Sequence, residues 1–263
     1  MNRITLSTTT LPDAKPLEFV EAAAAAGYDG CGFRLHKSPA YPNWQDWLHD
    51  EPLKREVKRA LGSSGQEMIE MLSYYIAPDM DFDEMAPSLE YGARLGATYA
   101  LVIGREQDWN RQVDNFGKFC DLAGSFGLIA AIEAPVGTIS PIAKGFQVIA
   151  EAGRSNAALC IDPGAFHRAG DTPEALRGKH PKLTPYTQIN DVLPDVGRVR
   201  PGDGQARVAD LLDALTANVT LSLEWPAPKG SSYTSLEWAK AALEGTRRFL
   251  NEYYGAATMV AAS

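Results

Sequence analysis

Short apolar segments alternate with longer amphipathic segments along most of this chain. The apolar segments are rich in Ile, Val, Leu and Ala, which is typical of strands buried on both faces of a parallel sheet. The segments between them place apolar residues at helical spacing, as in Val113, Phe116 and Phe119, and several of them end at a glycine. The pattern therefore predicts repeated β–α units.

Eight strands are predicted, near residues 4–9, 31–35, 68–75, 99–103, 130–135, 158–161, 186–189 and 220–224. Eight helices are predicted between and after them, near residues 16–26, 44–61, 83–95, 108–126, 141–152, 172–176, 208–215 and 235–254. This count in 263 residues is that of a (β/α)8 TIM barrel. We predict one α/β barrel domain over residues 1–254 and a flexible C-terminal tail over 255–263.

An open doubly wound sheet is the alternative fold. Such a sheet usually carries a glycine-rich phosphate turn after its first strand, and residues 7–12 contain no glycine. The barrel is therefore favoured.

Four predicted strands end in an oxygen-bearing side chain: Glu133, Asp162, Gln188 and Glu224. An unpaired carboxylate inside a buried strand costs several kcal/mol, so we expect these groups at the polar C-terminal rim where barrel enzymes keep their chemistry. Each acid alone would also fit an ordinary strand end, but four such groups on neighbouring strands favour a metal site. Their oxygens suit Mn²⁺ or Mg²⁺ first, with Co²⁺ or Zn²⁺ as alternatives.

Composition excludes several classes of protein. Apolar residues make up 45% of the chain, enough for a full core, and the formal net charge of −8 disfavours a nucleic-acid partner. Cys31, Cys120 and Cys160 are too scattered for a disulfide framework. We see no signal peptide and no apolar run of about 18 residues, so we expect a soluble cytoplasmic protein without a membrane partner.

Several motifs together resemble one known family. They are Leu95-Gly96-Ala97, Asp108-Trp109-Asn110-Arg111, Glu133, Asp162, Gln188-Ile189-Asn190-Asp191, the stretch from Arg198 through Pro201-Gly202-Asp203-Gly204, and Glu224. The chain resembles the xylose isomerase-like barrel superfamily of sugar isomerases, epimerases and inosose or dehydroshikimate dehydratases. The resemblance implies that Glu133, Asp162 and Glu224 bind a divalent metal and that Arg198 contacts substrate. Gln188 stands where the family usually has His, and some dehydratase-like members have Gln there.

Two departures from the family pattern affect the expected reaction. The family commonly has Asp-x-x-His after the sixth strand, whereas this chain has Ala165 at that fourth position and a histidine at His167. The epimerase branch carries a further Glu soon after its fifth-strand ligand, and residues 135–140 contain no acid. Together with Gln188, the missing Glu slightly favours a lyase over an epimerase.

The expected chemistry starts at the α-carbon of a carbonyl compound. A divalent ion chelated by a ketone and its neighbouring hydroxyl polarises the carbonyl, and a base then removes the α-proton to give an enediolate. Isomerisation, epimerisation and dehydration share this step, so the ligands do not distinguish them. The candidate catalytic residues are Glu133, Glu224, His167 and His36, although a solvent-facing position is equally compatible with either histidine.

Further residues are candidates for substrate binding. Arg34 and His36 alternate onto one side of the second strand, where Arg34 could hold an anionic or hydroxyl-rich substrate. Tyr75 and Trp225 could wall the pocket, with a plain core position as the alternative. Trp44 and Trp47 could belong to a lid or to the contact of a homodimer.

We therefore expect a metal-dependent isomerase, epimerase or dehydratase acting on a small polyhydroxylated carbonyl compound. A non-catalytic ligand-binding barrel that has lost turnover is the main alternative, and Ala165 supports it. A DNA-repair endonuclease of the same superfamily is disfavoured, because it needs many His ligands and this chain has four histidines.

Overall fold

The computed structural model describes residues 2–35, 47–215 and 219–261, with side chains described as far as residue 253. The predicted site residue His36 and the loop residue Trp44 lie outside these ranges. Within them, no helix combines the length and the apolar character that crossing a bilayer requires.

The strands are β1 Ile4–Ser7, β2 Gly30–Arg34, β3 Met68–Ile76, β4 Tyr99–Gly104, β5 Ile129–Ala134, β6 Ala157–Ile161, β7 Tyr186–Ile189, β8 Asp191–Leu193, β9 Gly197–Val199 and β10 Thr220–Leu223. The helices are α1 Pro16–Ala26, α2 Glu51–Ser64, α3 Phe82–Arg94, α4 Trp109–Ser125, α5 Ile142–Ala152, α6 Pro163–Arg168, α7 Val208–Ala214 and α8 Ser235–Ala261. Single 3₁₀ turns lie at Pro173–Ala175 and Pro181–Leu183.

Eight parallel strands close into a barrel in the order β1-β10-β7-β6-β5-β4-β3-β2. The predicted (β/α)8 TIM barrel is therefore confirmed. A small apolar cluster fills the barrel interior, and the larger core lies between the strands and the surrounding helices. The interior cluster consists of Leu72, Leu101, Ala131, Cys160 and Tyr186. The strands read as continuous apolar runs because both of their faces are covered.

The predicted helix over residues 172–176 is wrong in type, because only a 3₁₀ turn forms there. The helix after β6 begins at once with Pro163, since the Asp162 side chain accepts the Ala165 backbone N–H at 2.8 Å. Proline at the first position of a helix, directly after an acidic cap, is a favoured start. This early start keeps Asp162 at the barrel rim.

Two other elements differ from the predictions. The segment between the seventh and eighth predicted strands contains an antiparallel hairpin, β8–β9, which the sequence pattern does not predict. The last helix continues to Ala261, beyond the end predicted at Tyr254.

Trp47 is a core residue, which corrects its assignment to a lid or a dimer contact. Its side chain is fully buried, and its indole N–H donates to the Arg34 carbonyl oxygen at 3.0 Å. Its ring also packs against Phe33 and Tyr91.

Gly32 in β2 and Glu70 in β3 occupy one space inside the barrel. A Cβ added at Gly32 would lie 2.3 Å from Glu70 Cγ and 2.7 Å from Glu70 Oε1. We expect Gly32→Ala to lower the free energy of unfolding by about 1–3 kcal/mol, because the core is overpacked. Urea unfolding of the variant measures this loss.

Glu70→Ala should remove most of the penalty of Gly32→Ala in the double variant. Gly62→Ala is a matched control, because a Cβ at this helical glycine meets nothing within 4 Å. It should be neutral or stabilising by up to about 1 kcal/mol. If Gly32→Ala lowered the free energy of unfolding equally in the wild type and in Glu70→Ala, the result would contradict an overlap between the new methyl group and the Glu70 side chain.

Candidate active site

The four residues predicted as metal ligands lie together at the C-terminal rim of the barrel. Glu133 is in β5, Asp162 follows β6, Gln188 is in β7 and Glu224 follows β10, and these strands are neighbours around the barrel. Their exposed fractions are only 6%, 2%, 2% and 3%. The arrangement therefore buries three carboxylates and one amide at the end of a closed barrel.

Arg198 is the cation that joins two of these acids. Its Nη2 lies 2.8 Å from Asp162 Oδ2 and 2.9 Å from Glu224 Oε2. The β8–β9 hairpin carries this side chain over the rim, with Arg198 paired in register with Val192. Asp162 and Glu224 are thus held by one guanidinium, on a side chain that is 30% exposed.

Asp191 positions the loop that follows the hairpin. Its Oδ1 accepts the Ala206 N–H at 2.8 Å and its Oδ2 accepts the Gly202 N–H at 3.0 Å. A Cβ at Gly204 would lie 2.3 Å from Asp191 Oδ1, so the loop wraps closely around this carboxylate. Asp191 is therefore a structural acid that fixes the path of the chain around Arg198.

Hydrogen bonds fix the second oxygen of Glu224. Its Oε1 accepts the Ser7 hydroxyl at 3.0 Å and the Thr9 hydroxyl at 3.1 Å. Both donors come from β1 or the turn after it, next to β10 in the barrel. Glu224 Oε2 is consequently directed at the cluster, toward Arg198.

Burial and the neighbouring acids raise the pKa of Glu133 and of Glu224. Burial raises the pKa of Glu133 to about 8, and the charges of Glu224 and Asp162 add to this rise. Burial also raises the pKa of Glu224, and the charges of Arg198 and Arg34 oppose the rise. The physical cause is that carboxylates are buried close to one another.

The donor set fits a hard divalent cation, although the side chains are not yet arranged as a chelate. In the part of the chain that the structure describes, no three Asp, Glu, His or Cys side chains form a ready metal-binding group. The Arg198 guanidinium lies between Asp162 and Glu224 and accounts for this. Gln188 Oε1, however, is buried and has no hydrogen-bond partner within residues 2–35, 47–215 and 219–253. A buried amide oxygen in this state is available to a cation.

A second layer of polar residues lies below the cluster. The Ser222 hydroxyl donates a short hydrogen bond to Glu70 Oε1, and Ser222 pairs in register with Gln188. Burial raises the pKa of Glu70 to about 8, although the Ser222 hydrogen bond and the charge of Arg34 oppose the rise. Arg34 is 2% exposed. Sequence reasoning missed Glu70, because this acid lies inside an apolar run, whereas Glu133 was identified as an acid at the end of one.

Three other predicted residues lie outside the cluster. Tyr75 is half-buried, and the guanidinium of Arg105 stacks on its ring at 4.3 Å. The Trp225 ring packs on Trp238 of α8 with the ring centroids 4.9 Å apart, and its place on the pocket wall stays a prediction. His167 is exposed near the end of α6 and stays a predicted catalytic residue.

Comparison with known proteins gives one family. The sequence model described as xylose isomerase-like TIM barrel matches residues 20–252. A search of curated proteins gives no match.

Solved structures share the fold at low sequence identity. The IolI protein with a binding zinc atom is 20% identical, with a TM-score of 0.80 and coverage of 95% of this chain and 99% of that one. D-psicose 3-epimerase from Clostridium cellulolyticum H10, in a structure with D-tagatose, is 16% identical, with a TM-score of 0.70 and coverage of 94% and 99%. The probable 3-DHS dehydratase AsbF from Bacillus anthracis is 13% identical, with a TM-score of 0.70 and coverage of 93% and 98%.

Glu70 should make the stability of the metal-free protein depend on pH. Its pKa is about 8 when folded and 4.5 ordinarily, so the folded chain holds a proton that the unfolded chain releases between these values. The contribution of Glu70 to stability is complete below about pH 4.5 and is lost as pH rises through about 8. We expect Glu70→Gln to flatten this decline, measured by urea unfolding from pH 5 to pH 9 in the presence of a chelator.

Glu237→Gln is the control for this measurement. Glu237 is an exposed acid whose pKa is lowered by hydrogen bonds from Thr234, so it titrates below this range. An unchanged slope in Glu70→Gln would contradict the raised pKa.

Proposed function

Because this chain belongs to the xylose isomerase-like TIM barrel family, we propose that it is a divalent-metal-dependent isomerase, epimerase or dehydratase. Its substrate is a small polyhydroxylated carbonyl compound. The observation that carries the proposal is the buried Gln188 oxygen, which has no hydrogen-bond partner among the described residues, beside three buried carboxylates of which two pair with Arg198. A divalent cation would supply both positive charge and a partner for this oxygen.

Glu133, Asp162, Gln188 and Glu224 would hold the ion, which supplies Lewis-acid polarisation of a substrate carbonyl when bound. Among the described residues Arg198 forms ion pairs with Asp162 and Glu224, so Glu133 is the ligand acid that remains for proton transfer. We assign Glu133 the removal and return of the α-proton, with Glu224 and His167 as the alternative groups. His36 is a further candidate from the sequence.

Arg198 would bind substrate after releasing the acids. A divalent ion held by Asp162 and Glu224 would take over the charge balance that the guanidinium provides. The guanidinium is partly exposed on its hairpin and so can turn toward a hydroxyl or carboxylate of the incoming molecule. Arg34 and Tyr75 are proposed as additional substrate contacts.

A dehydratase is the version of this proposal that we favour. Gln188 replaces the histidine usual in the family, and the loop after β5 has no further acid of the kind found in the epimerase branch. The support from relatives is broader, because they include an epimerase, a probable dehydratase and a zinc-containing protein.

A non-catalytic ligand-binding barrel is the second candidate. Ala165 is 6% exposed at the position where the family commonly has an imidazole, so no general base reaches the cluster from there. Arg198 also forms a closed ion-pair arrangement with two of the acids.

The primary test is metal content and turnover. We expect about one divalent ion per purified chain, lost in Glu133→Gln and in Glu224→Gln, because each change removes a charged ligand. Glu70→Gln is the matched control: it removes a buried barrel acid that is not a proposed ligand, and it should keep the metal.

Turnover with Mn²⁺ should then appear on keto-sugars, inosose or 3-dehydroshikimate. Bound metal without turnover would support the ligand-binding barrel instead. An absence of metal, together with no thermal stabilisation by Mn²⁺, would overturn the proposal.

The variant Arg198→Met tests whether the guanidinium and a metal ion compete for the same carboxylates. Without Mn²⁺, Arg198→Met should lower the free energy of unfolding. The loss should be smaller than the roughly 3–5 kcal/mol that breaking a fully buried ion pair costs, because Arg198 is partly exposed. Added Mn²⁺ should stabilise this variant more than the wild type, as a thermal melt would measure.

Arg200→Met is the control for Arg198→Met. Arg200 lies on the same loop and pairs with Asp203 outside the cluster. Equal stabilisation of both variants by Mn²⁺ would contradict competition between the guanidinium and the ion.

A further inference from the structure

A separate cavity of about 730 Å³ lies between the loops that follow β4 and β5. None of the four proposed metal ligands lines it. Its lining comes from the end of β4, from the loops after β4 and β5, and from the N-terminal parts of α4 and α5. The lining includes Gly104, Arg105, Glu106, Trp109, Gly137 and Lys144.

Two glycines give this cavity a fixed wall of bare backbone. The Thr138 N–H donates to the Gly104 carbonyl oxygen at 3.0 Å, which ties the two loops together. Gly137 has φ +57°, and a Cβ there would lie 2.2 Å from the Gly104 oxygen. The loops can approach this closely only because both positions lack side chains.

The charge of the lining is positive. Arg105 and Lys144 are exposed, and neither makes an ion pair with any residue that the structure describes. Glu106 also lines the cavity, but it accepts hydrogen bonds from Arg111 at 3.0 and 3.1 Å and from the Asp108 N–H at 2.8 Å. The hydrogen bond from Arg111 is the main cause that lowers the pKa of Glu106. Its charge is therefore already compensated.

Trp109 supplies an aromatic wall in a fixed orientation. Its indole N–H donates to Glu151 Oε2 at 2.7 Å. The other Glu151 oxygen accepts the Gln147 amide at 2.7 Å, so this carboxylate is engaged on both sides. An oriented indole face is suited to the C–H surface of a sugar-like molecule.

The cationic side chains are the donors available to an anion here. The starts of both neighbouring helices are capped from within the chain: Asp108 accepts the Arg111 N–H and Asp171 accepts the Ile142 N–H. Arg105 also stacks on Tyr75 at 4.3 Å, which holds its guanidinium in place.

We propose that this cavity binds a small organic anion, through Arg105 and Lys144 on its phosphate or carboxylate group and Trp109 against the C–H surface of its sugar-like body. The site is distinct from the metal cluster, and the inference does not rest on the proposed function. Phosphate monoesters and carboxylates share the chemistry that the two cations recognise.

Calorimetric titration with D-ribose 5-phosphate, inorganic phosphate and D-gluconate tests the site. We expect binding of ribose 5-phosphate, gluconate or both, tighter than that of inorganic phosphate, because only the organic anions contact the indole. Ribose 5-phosphate alone would indicate a phosphate site, and gluconate alone a carboxylate site. Arg105→Gln and Lys144→Gln should each weaken the tighter organic probe about tenfold, the effect of losing one charge-assisted hydrogen bond.

Three further variants locate the binding. Lys118→Gln removes an exposed cation of α4 that pairs with Asp114, and it should leave the affinity unchanged. Trp109→Phe should abolish the change in tryptophan fluorescence on binding, whereas Glu224→Gln should leave calorimetric binding intact. No heat of binding with either organic probe at millimolar concentrations would overturn the proposal. Equal weakening by Lys118→Gln, or loss of binding in Glu224→Gln, would overturn it as well.

Discussion

The crowding of three carboxylates at the closed end of the barrel is the constraint on which the rim of this structure depends. Glu133, Asp162 and Glu224 are nearly buried, and Arg198 is the cation that pairs directly with two of them. Buried charges are tolerated only when they are paired and hydrogen-bonded. The β8–β9 hairpin brings the cation, and the turn after β1 brings the hydroxyls that hold Glu224.

The barrel and its acidic rim are predictable from sequence because both follow from burial. A strand covered on two faces must be apolar, so a carboxylate at its end indicates where the covered region stops. This rule identifies Glu133, Asp162 and Glu224 without any knowledge of side-chain contacts. The rule does not identify Glu70, which lies inside β3 and whose carboxylate takes the space that Gly32 leaves empty.

Features set by contacts distant in sequence are not predictable in the same way. The β8–β9 hairpin depends on Asp191, whose carboxylate accepts backbone N–H groups 11 and 15 residues further along the chain. Strand alternation shows that Trp225 lies opposite Glu224, but only packing against Trp238 shows that its ring belongs to the α8 interface. The local sequence pattern indicates the face on which a side chain lies, whereas tertiary packing determines which residues it contacts there.

The charge balance also explains how metal and substrate binding would be coupled. Arg198 pairs with two of the three carboxylates, and protonation of an acid such as Glu133 would relieve part of the remaining repulsion. A divalent ion would remove the need for that proton and for the guanidinium at the same time. In the proposed reaction the acid would then be available as a base, and the partly exposed Arg198 would be available to a substrate. Both groups that the proposed reaction needs would thus be occupied with charge compensation until an ion binds.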